Sequence, residues 1–397
     1  MKTVLSITPF FPYDGIRNAG GKTYNFYIKT LASEPDFKVN VLGFRCKNEK
    51  DGDDLINYNI HKIVILNKGT LRSNIVHAFW LFVGKITMKG KICCLFKYHE
   101  VLSYLKYLYK SNKLPDIIDL QWTEMVLLAT EIRKRYPSVR IVGSEPDVSF
   151  LGAERRYRTA RFNKEKLIKI YKYLKMKEIE AALNCDIIMP QSIKDANLLI
   201  KNGVPKTKVV PIIPYFHNMG TIERKNIKND VFFWGEMSRQ ENAEACKWFV
   251  DNVMPLLKDL DIRFVIVGNN PGPELKQLES SKVLVTGFVE DETIFFESCL
   301  CMVAPLLHGA GIKVKVLEGL SAGVPVLTNK IGIEGIPARK NKDFIFCKSA
   351  NDYAKGILKL YNNSLYRQNI ESNAKIFING YNLFESLNNY INTIRSL

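Results

Sequence analysis

Residues 298–337 read SCLCMVAPLLHGAGIKVKVLEGLSAGVPVLTNKIGIEGIP. A short apolar run ends at Pro305, and a loop of His308, Gly309, Ala310 and Gly311 follows. The pattern then turns helical through Lys313, Lys315 and Glu318. A second turn at Ser321, Ala322 and Gly323 leads back into an apolar run, VPVLT, before Gly332 and Gly335. Strand, glycine turn, helix and strand in this order make one crossover unit, the connection that parallel strands require.

The same rhythm extends in both directions. Upstream of this stretch, candidate strands are DVFFWG (230–235), RFVIVG (263–268) and KVLVTG (282–287), with CMVAP (301–305) and VPVLT (324–328) inside it. An earlier series runs KTVLSIT (2–8), KVNVLGF (38–44), KIVIL (62–66), DIIDL (116–120), VRIVGS (139–144) and DIIMP (186–190). Val- and Ile-rich runs of this length, separated by amphipathic segments, predict parallel sheets covered by helices. Between the two series, residues 211–229 (PIIPYFHNMGTIERKNIKN) are polar, basic and broken by prolines, and read as an interdomain linker. The 397 residues therefore divide into two doubly wound α/β domains, 1–210 and 230–380. Residues 381–397 form one more amphipathic helix, with Leu383, Leu387, Tyr390 and Ile394 on one face and no partner legible from its own sequence. In open sheets of this kind ligands bind beyond the carboxyl ends of the strands, so the cleft between two such domains is the expected site.

Charge separates the halves. The net charge is +17, of which residues 1–200 carry +13, residues 201–229 carry +5, and the remainder −1. A basic field of that kind draws phosphate groups. Eight cysteines at 46, 93, 94, 185, 246, 299, 301 and 347 include no C-x-x-C pair and sit largely in apolar runs, as in a reduced, cytoplasmic protein without a zinc site. MKTVLSITPFF fits a first strand better than a signal peptide. The longest apolar stretch, IVHAFWLFVG (75–84), is half of the ~20 residues that a membrane span needs.

Two segments carry chemistry. TPFFPYDGIRNAGGKTYNFYIKTLA (8–32) places Gly15, Gly20 and Gly21 before a helix expected to open near Lys22. Such a turn lets a ligand approach the backbone and a helix N-terminus, although the glycines alone fit an ordinary strand-to-helix loop equally well. Their spacing is not G-x-G-x-x-G, which disfavours a dinucleotide oxidoreductase. In 298–337, helix N–H groups and lysines suit a diphosphate, and a carboxylate one turn further in suits ribose hydroxyls. Lys315 and Glu318, three residues apart, share a helix face, as a plain surface ion pair also would.

This stretch resembles the donor-binding half of GT-B glycosyltransferases of retaining family 4, the glycosyltransferase group 1 domain. It carries G-x-G-I-K-x-K-V-L-E-x-x-x-x-G-x-P-V, then G-x-E-G; upstream, FFWGEMSRQENAEACKWFVDNVMPLL (232–257) matches G-x-M-x-x-x-x-N-x-x-A-x-x-W-F. RFVIVGNNP and VTGFVED follow in the order that the family shows, and EPDVSFLGAERRY (145–157) extends a looser likeness into the first half. The resemblance implies two doubly wound domains facing across a cleft. It implies that Glu318 holds the donor ribose and that Lys313 or Lys315, with Arg239, meets the diphosphate. Gly20 and Gly21 would line the cleft, Gly235 would keep the first turn of the donor domain open, and Gly311 and His308 would lie in the donor loop. Glu145 and Asp147 would stand at the reacting sugar. No metal and no cofactor are implied, because cations and helix N-termini neutralise the leaving diphosphate. Four positions depart from the family pattern: Glu236 and Glu241 stand where relatives carry Arg and Lys, Ala310 where they carry a first acid, and Pro146 where they carry His.

Residues 154–178 hold ten cations against three acids, and 72–113 add Arg72, Lys85, Lys89, Lys91, Lys97, Lys106, Lys110 and Lys113 among aromatics. Such stretches suit an anionic membrane surface, or simply a solvated helix face. No nucleic-acid-binding module is visible. The expectation is a metal-independent hexosyltransferase that moves a sugar from a UDP- or GDP-linked donor to a glycan acceptor, polyprenyl- or otherwise lipid-linked. Its setting would be bacterial envelope polysaccharide synthesis such as lipopolysaccharide, in the cytoplasm and peripherally on the inner face of the membrane. The alternative is a degenerate relative that binds nucleotide-sugar without turnover, for which Pro146, Ala310 and Glu236 speak.

Overall fold

A computed structural model describes all residues except 17, 46–51, 67–70 and 161, with the side chains of 71–73 also left aside. Cys46 and the side chain of Arg72 thus lie outside the described residues. The chain forms two compact units, residues 1–215 with 383–397, and residues 216–382.

Unit 1 runs β1 (Lys2–Ile7), α1 (Ala19–Ser33), β2 (Phe37–Arg45), β3 (His61–Leu66), α2 (Leu71–Ile86), α3 (Leu95–Lys110), β4 (Ile117–Gln121), α4 (Trp122–Val126), α5 (Ala129–Arg135), β5 (Arg140–Glu145), α6 (Ser149–Thr159), α7 (Lys164–Asn184), β6 (Ile187–Pro190) and α8 (Ile193–Lys201). Its six strands are all parallel, in the order β3-β2-β1-β4-β5-β6. Alternation along each strand loads two cores. Leu5, Ile7, Leu42, Phe44, Ile118 and Leu120 face one, with Val101, Leu105, Ile132 and Ala181 of the covering helices. Val4, Val39, Val41, Ile117, Val142 and Met189 face the other, under Tyr24, Tyr27, Ile28 and Leu31 of α1.

Unit 2 runs β7 (Asp230–Trp234), α9 (Gln240–Asn252), β8 (Arg263–Val267), α10 (Pro273–Lys276), β9 (Val283–Gly287), α11 (Thr293–Ser298), β10 (Cys301–Ala304), α12 (Val314–Ser321), β11 (Val326–Thr328), β12 (Ile345–Phe346), α13 (Ala350–Asn362) and α14 (Ser364–Gly380). Its order, β12-β11-β10-β7-β8-β9, repeats that of unit 1, again fully parallel. The two-residue β12 is too short to be read from the sequence pattern.

The stretch 211–229, expected as a linker, is divided between the units and tied down in each. Ile212 is buried in unit 1. In unit 2 the guanidinium of Arg224 donates to the carbonyls of Phe296 (2.8 Å) and Cys299 (2.7 Å) and to Glu371 Oε1 (3.0 Å). A cation counted as part of a solvated basic stretch is thereby a buried brace, because three carbonyl and carboxylate acceptors replace its hydration.

The final helix, α15 (Leu383–Ser396), belongs to unit 1 although it follows unit 2 in sequence. Leu387, Tyr390, Ile391 and Ile394 enter the α1 side of the core, and Tyr390 meets Tyr27 edge-on at 4.9 Å. Ser386 Oγ accepts the Ile213 N–H (2.8 Å), and Tyr27 Oη lies 2.9 Å from Ser386 Oγ while donating to the Ile213 carbonyl (2.7 Å). Arg395 then pairs with Glu34 (2.7 Å) and Asp36. Truncation of Tyr390 to Ala is expected to cost unit 1 ~3–5 kcal/mol, read as an earlier denaturant midpoint for tryptophan fluorescence from Trp80 and Trp122 than from Trp234 and Trp248.

Candidate functional site

In unit 2 the strand order reverses between β7 and β10, and a crevice for ligands forms beyond the carboxyl ends at such a reversal. Gly235 leaves β7 there, and the loop 305–313 leaves β10. Gly309 and Gly311 have φ of +127° and +69°, conformations that disfavour a side chain, so this loop needs its glycines. Lys313 is the N-cap of α12 and not a helix residue as the sequence pattern implied; its ammonium folds back onto the carbonyls of Ala310 (2.9 Å) and Gly311 (2.7 Å).

Lys315 points inward. Its Nζ donates to Asn242 Oδ1 (2.6 Å) and lies 4.1 Å from the ring centre of Phe233. Burial pulls its pKa down to about 7, with nearby Arg239 acting in the same direction and Glu241 and Glu318 opposing. A Cβ on Gly235 would stand 2.6 Å from this ammonium, so the glycine keeps space for it. Asn242 in turn donates to the Glu236 carbonyl (2.7 Å), which locks the β7 turn to α9. Glu318, buried on the next turn of α12, accepts from Trp234 Nε1 at 3.0 Å. Ser321 Oγ donates to the Glu318 carbonyl (2.8 Å) and accepts the Met219 N–H (3.0 Å). Gly235, Lys315 and Glu318 thus converge, held by Trp234 and Asn242, which the sequence reading passed over. The W-G pair at 234–235 and the N of the N-x-x-A-x-x-W-F pattern were the available signals.

Two expected donor ligands sit differently. Arg239 is the N-cap of α9, more than half exposed and paired with Glu241. That pairing reflects the acid standing where relatives carry Lys. His308 Nε2 approaches Glu244 Oε2 at 3.5 Å on α9 and is likewise half-exposed.

Gly20 and Gly21 belong to unit 1. The helix opens at Ala19 and not near Lys22, because the Asn18 side chain caps it by accepting the Gly21 N–H (2.6 Å). Both glycines are therefore in the first helical turn, where a Cβ on Gly21 would strike Ile16 and Asn18, and one on Gly20 would press on the Trp122 indole at 3.3 Å.

Glu145 ends β5 fully buried, with both Oε atoms lacking a hydrogen-bond partner among the described residues. Burial, then the charges of Glu178 and Asp147, push its carboxyl well above the ordinary range. Glu178 of α7, also raised by burial, accepts the N–H groups of Ser149 (2.7 Å) and Phe150 (2.8 Å) and so fixes the start of α6. Asp147 is half-buried, and its charge helps to raise both Glu145 and Glu178. Glu145, expected at the reacting sugar, does not reach solvent, whereas Asp147 is partly exposed. Glu178 was missed by sequence, since nothing in a helix of alternating Lys and Tyr marks one acid as the inward one.

Comparisons with known proteins bear on the family and the fold. Residues 228–363 match the family model of glycosyl transferases group 1. A 44.6 kDa protein in the cps region of Klebsiella pneumoniae is 24% identical over 161 residues, 38% of this chain, which spans about 41% of that relative's length. The crystal structure of HepE from Anabaena in complex with UDP superposes with a TM-score of 0.68 at 13% identity, covering 100% of both chains. WaaG, a glycosyltransferase involved in lipopolysaccharide biosynthesis, gives 0.66 at 14% identity over 99% of each chain.

The buried ammonium yields a direct expectation. Lys315 should give a signal that titrates near 7 by NMR of ¹³Cε-lysine-labelled protein, and Lys315→Met should remove that signal. Gly235→Ala should raise its midpoint by forcing the ammonium outward, at a stability cost of ~1–3 kcal/mol. Residues 228–363 thus match the glycosyl transferases group 1 model, within a chain that has the GT-B fold.

Proposed function

We propose that the protein is a glycosyltransferase that moves a hexose-type sugar from a nucleoside-diphosphate donor, UDP- or GDP-linked, to a glycan acceptor on a lipid carrier. The observation that carries this reading is the convergence of a buried lysine, a buried glutamate and an open glycine turn at the strand reversal of unit 2. The ammonium of Lys315 is desolvated at a cost that only an anion would repay, and Glu318 is pre-oriented by Trp234 to accept ribose hydroxyls. Solved neighbours of the same fold hold UDP and UDP-glucose, which supports a uridine donor first. Lys315, with Arg239 released from Glu241, would neutralise the leaving diphosphate without a metal, and the reaction would retain configuration with the phosphate oxygen as base. Asp147, partly exposed after β5, would accept from the acceptor hydroxyl. The cps-region relative and WaaG support a role in envelope polysaccharide synthesis on the cytoplasmic side.

The membrane partner has support in α2. Val76, Trp80 and Val83 pack on the core, while Ile75, Phe79, Phe82 and Ile86 form an opposite stripe that is 57–69% exposed. Lys85, Lys89 and Lys91 flank its end. An apolar stripe beside cations suits insertion into anionic headgroups, and no helix of the described residues is long and apolar enough to cross a membrane.

Two experiments test these readings. Calorimetric titration with UDP and GDP should show binding that Glu318→Ala weakens by about 10–100-fold, the loss of hydrogen bonds to a charged acceptor. Because the free ammonium titrates near 7, phosphate binding should take up a proton above that pH. Affinity should therefore fall as pH rises through 7 and 8 and be flat below about 6. Binding that ignores both the mutation and the pH would remove the donor site from this place. For the membrane, cosedimentation with phosphatidylglycerol vesicles should be strong in low salt and lost in Phe79→Glu/Phe82→Glu; equal binding by that variant would refute the stripe.

A further inference from the structure

Seven non-glycine residues among those described have positive φ; six are asparagines, the residue that best tolerates it, and the seventh is Trp122 at +65°. A bulky aromatic held in that conformation is a marked exception, and its surroundings account for the constraint. Trp122 follows the last residue of β4, and β4 and β1 are the neighbours at which the strand order of unit 1 reverses. The next side chain is pinned: Thr123 Oγ1 lies 2.9 Å from Ser149 Oγ at the start of α6. The indole rests beside Phe10 of the loop after β1, with centroids 4.5 Å apart and planes at 59°, and Tyr24 meets it edge-on at 5.7 Å. It lies against the backbone of α1 where Gly20 has no side chain; a Cβ there would be 3.3 Å from Cζ2 and 3.5 Å from Nε1.

Trp122 packs with one side on the core of unit 1, and both it and Phe10 stay half-buried, with part of each ring open to solvent. The indole N–H donates to no group of the described residues. The backbone therefore adopts a disfavoured conformation to present an aromatic face and an unused donor at the ligand edge of the sheet. The adjoining strand end leads into Asp147, a partly exposed carboxyl of the kind that accepts from hydroxyls.

We propose that Trp122, flanked by Phe10 and given room by Gly20, is a stacking platform for a sugar ring of the acceptor. The apolar face of a pyranose packs on the indole, a ring hydroxyl accepts from Nε1, and Asp147 accepts from another hydroxyl. This assignment rests on the glycosyltransferase reading for its word acceptor, although the platform itself is a feature of unit 1 alone. It gives the conformation of Trp122 and the absence of a side chain at Gly20 a single cause, and it makes Trp122 a determinant of acceptor choice.

The four tryptophans allow a test on the intact protein. In 5-fluorotryptophan-labelled protein, single Trp→Phe variants at 80, 234 and 248 assign the ¹⁹F signals, leaving Trp122 by elimination. A panel of methyl glycosides (gluco, galacto, manno, N-acetylgluco and 6-deoxy) should shift the Trp122 signal saturably with at least one sugar, while an open-chain polyol should not. UDP should instead shift Trp234, which bonds Glu318. If no glycoside moves Trp122, the platform is refuted, whether or not UDP moves Trp234. If UDP moves Trp122 as the glycosides do, the ring stacks a nucleobase and the assignment falls. If a glycoside moves Trp122 and UDP leaves Trp234 still, the platform stands and the donor reading fails.

Discussion

Parallel strands can be joined only by crossovers, and that constraint orders everything else in both units. Each crossover returns the chain to the same starting edge, so all exit turns of a sheet collect at the opposite edge. The strand order reverses once in each sheet, at β1/β4 and at β7/β10. At those two places neighbouring helices diverge and leave the turns uncovered. Gly235, Lys315 and Glu318 stand at one reversal, and Gly20, Trp122 and the loop carrying Asp147 at or beside the other. The remaining strand residues are committed to the cores on the two faces.

The two edges differ in electrostatic character. In unit 2 a cation is desolvated: Lys315 has one oxygen acceptor, one aromatic face and a pKa pulled down to about 7. In unit 1 carboxyl groups are desolvated: Glu145 and Glu178 are both pushed up by burial, and Asp119, bonded to Ser6 and Gln121, rises to about 6. Burying ionisable groups of one sign costs stability, and such groups persist where function needs them or where they are well satisfied. Glu178 is of the second kind, since it caps α6. Lys315 is less well satisfied, with one amide oxygen and one aromatic face for an ammonium.

Chain ends and connections follow a different rule from strands. Helix α15 and segment 216–229 are secured by contacts distant in sequence: Tyr27 with Tyr390 and Ser386 in one case, Arg224 with Phe296, Cys299 and Glu371 in the other. Helix α2 shows the reverse, with one apolar face packed and another left open. Net charge conveys neither outcome, because Arg224 and the lysines beside α2 contribute alike to a sum and oppositely to structure.

The sequence by itself determined the architecture. Val- and Ile-rich runs separated by helical periodicity permit little besides parallel crossover units, and glycines at 309 and 311 mark where a turn must leave room. It also placed Gly235 on a strand-to-helix turn and Lys315 and Glu318 on one helix face, because such spacing is local. Tertiary structure alone decided what each of these touches. Trp234 and Asn242 reach Glu318 and Lys315 across 84 and 73 positions, and no local pattern encodes contacts of that range. The same holds for the burial of Glu145, for the pairing of Arg239 with Glu241, and for the conformation of Trp122. Each depends on the dielectric and the space left after the sheets have packed, and those are properties of the folded molecule and not of any segment of the chain.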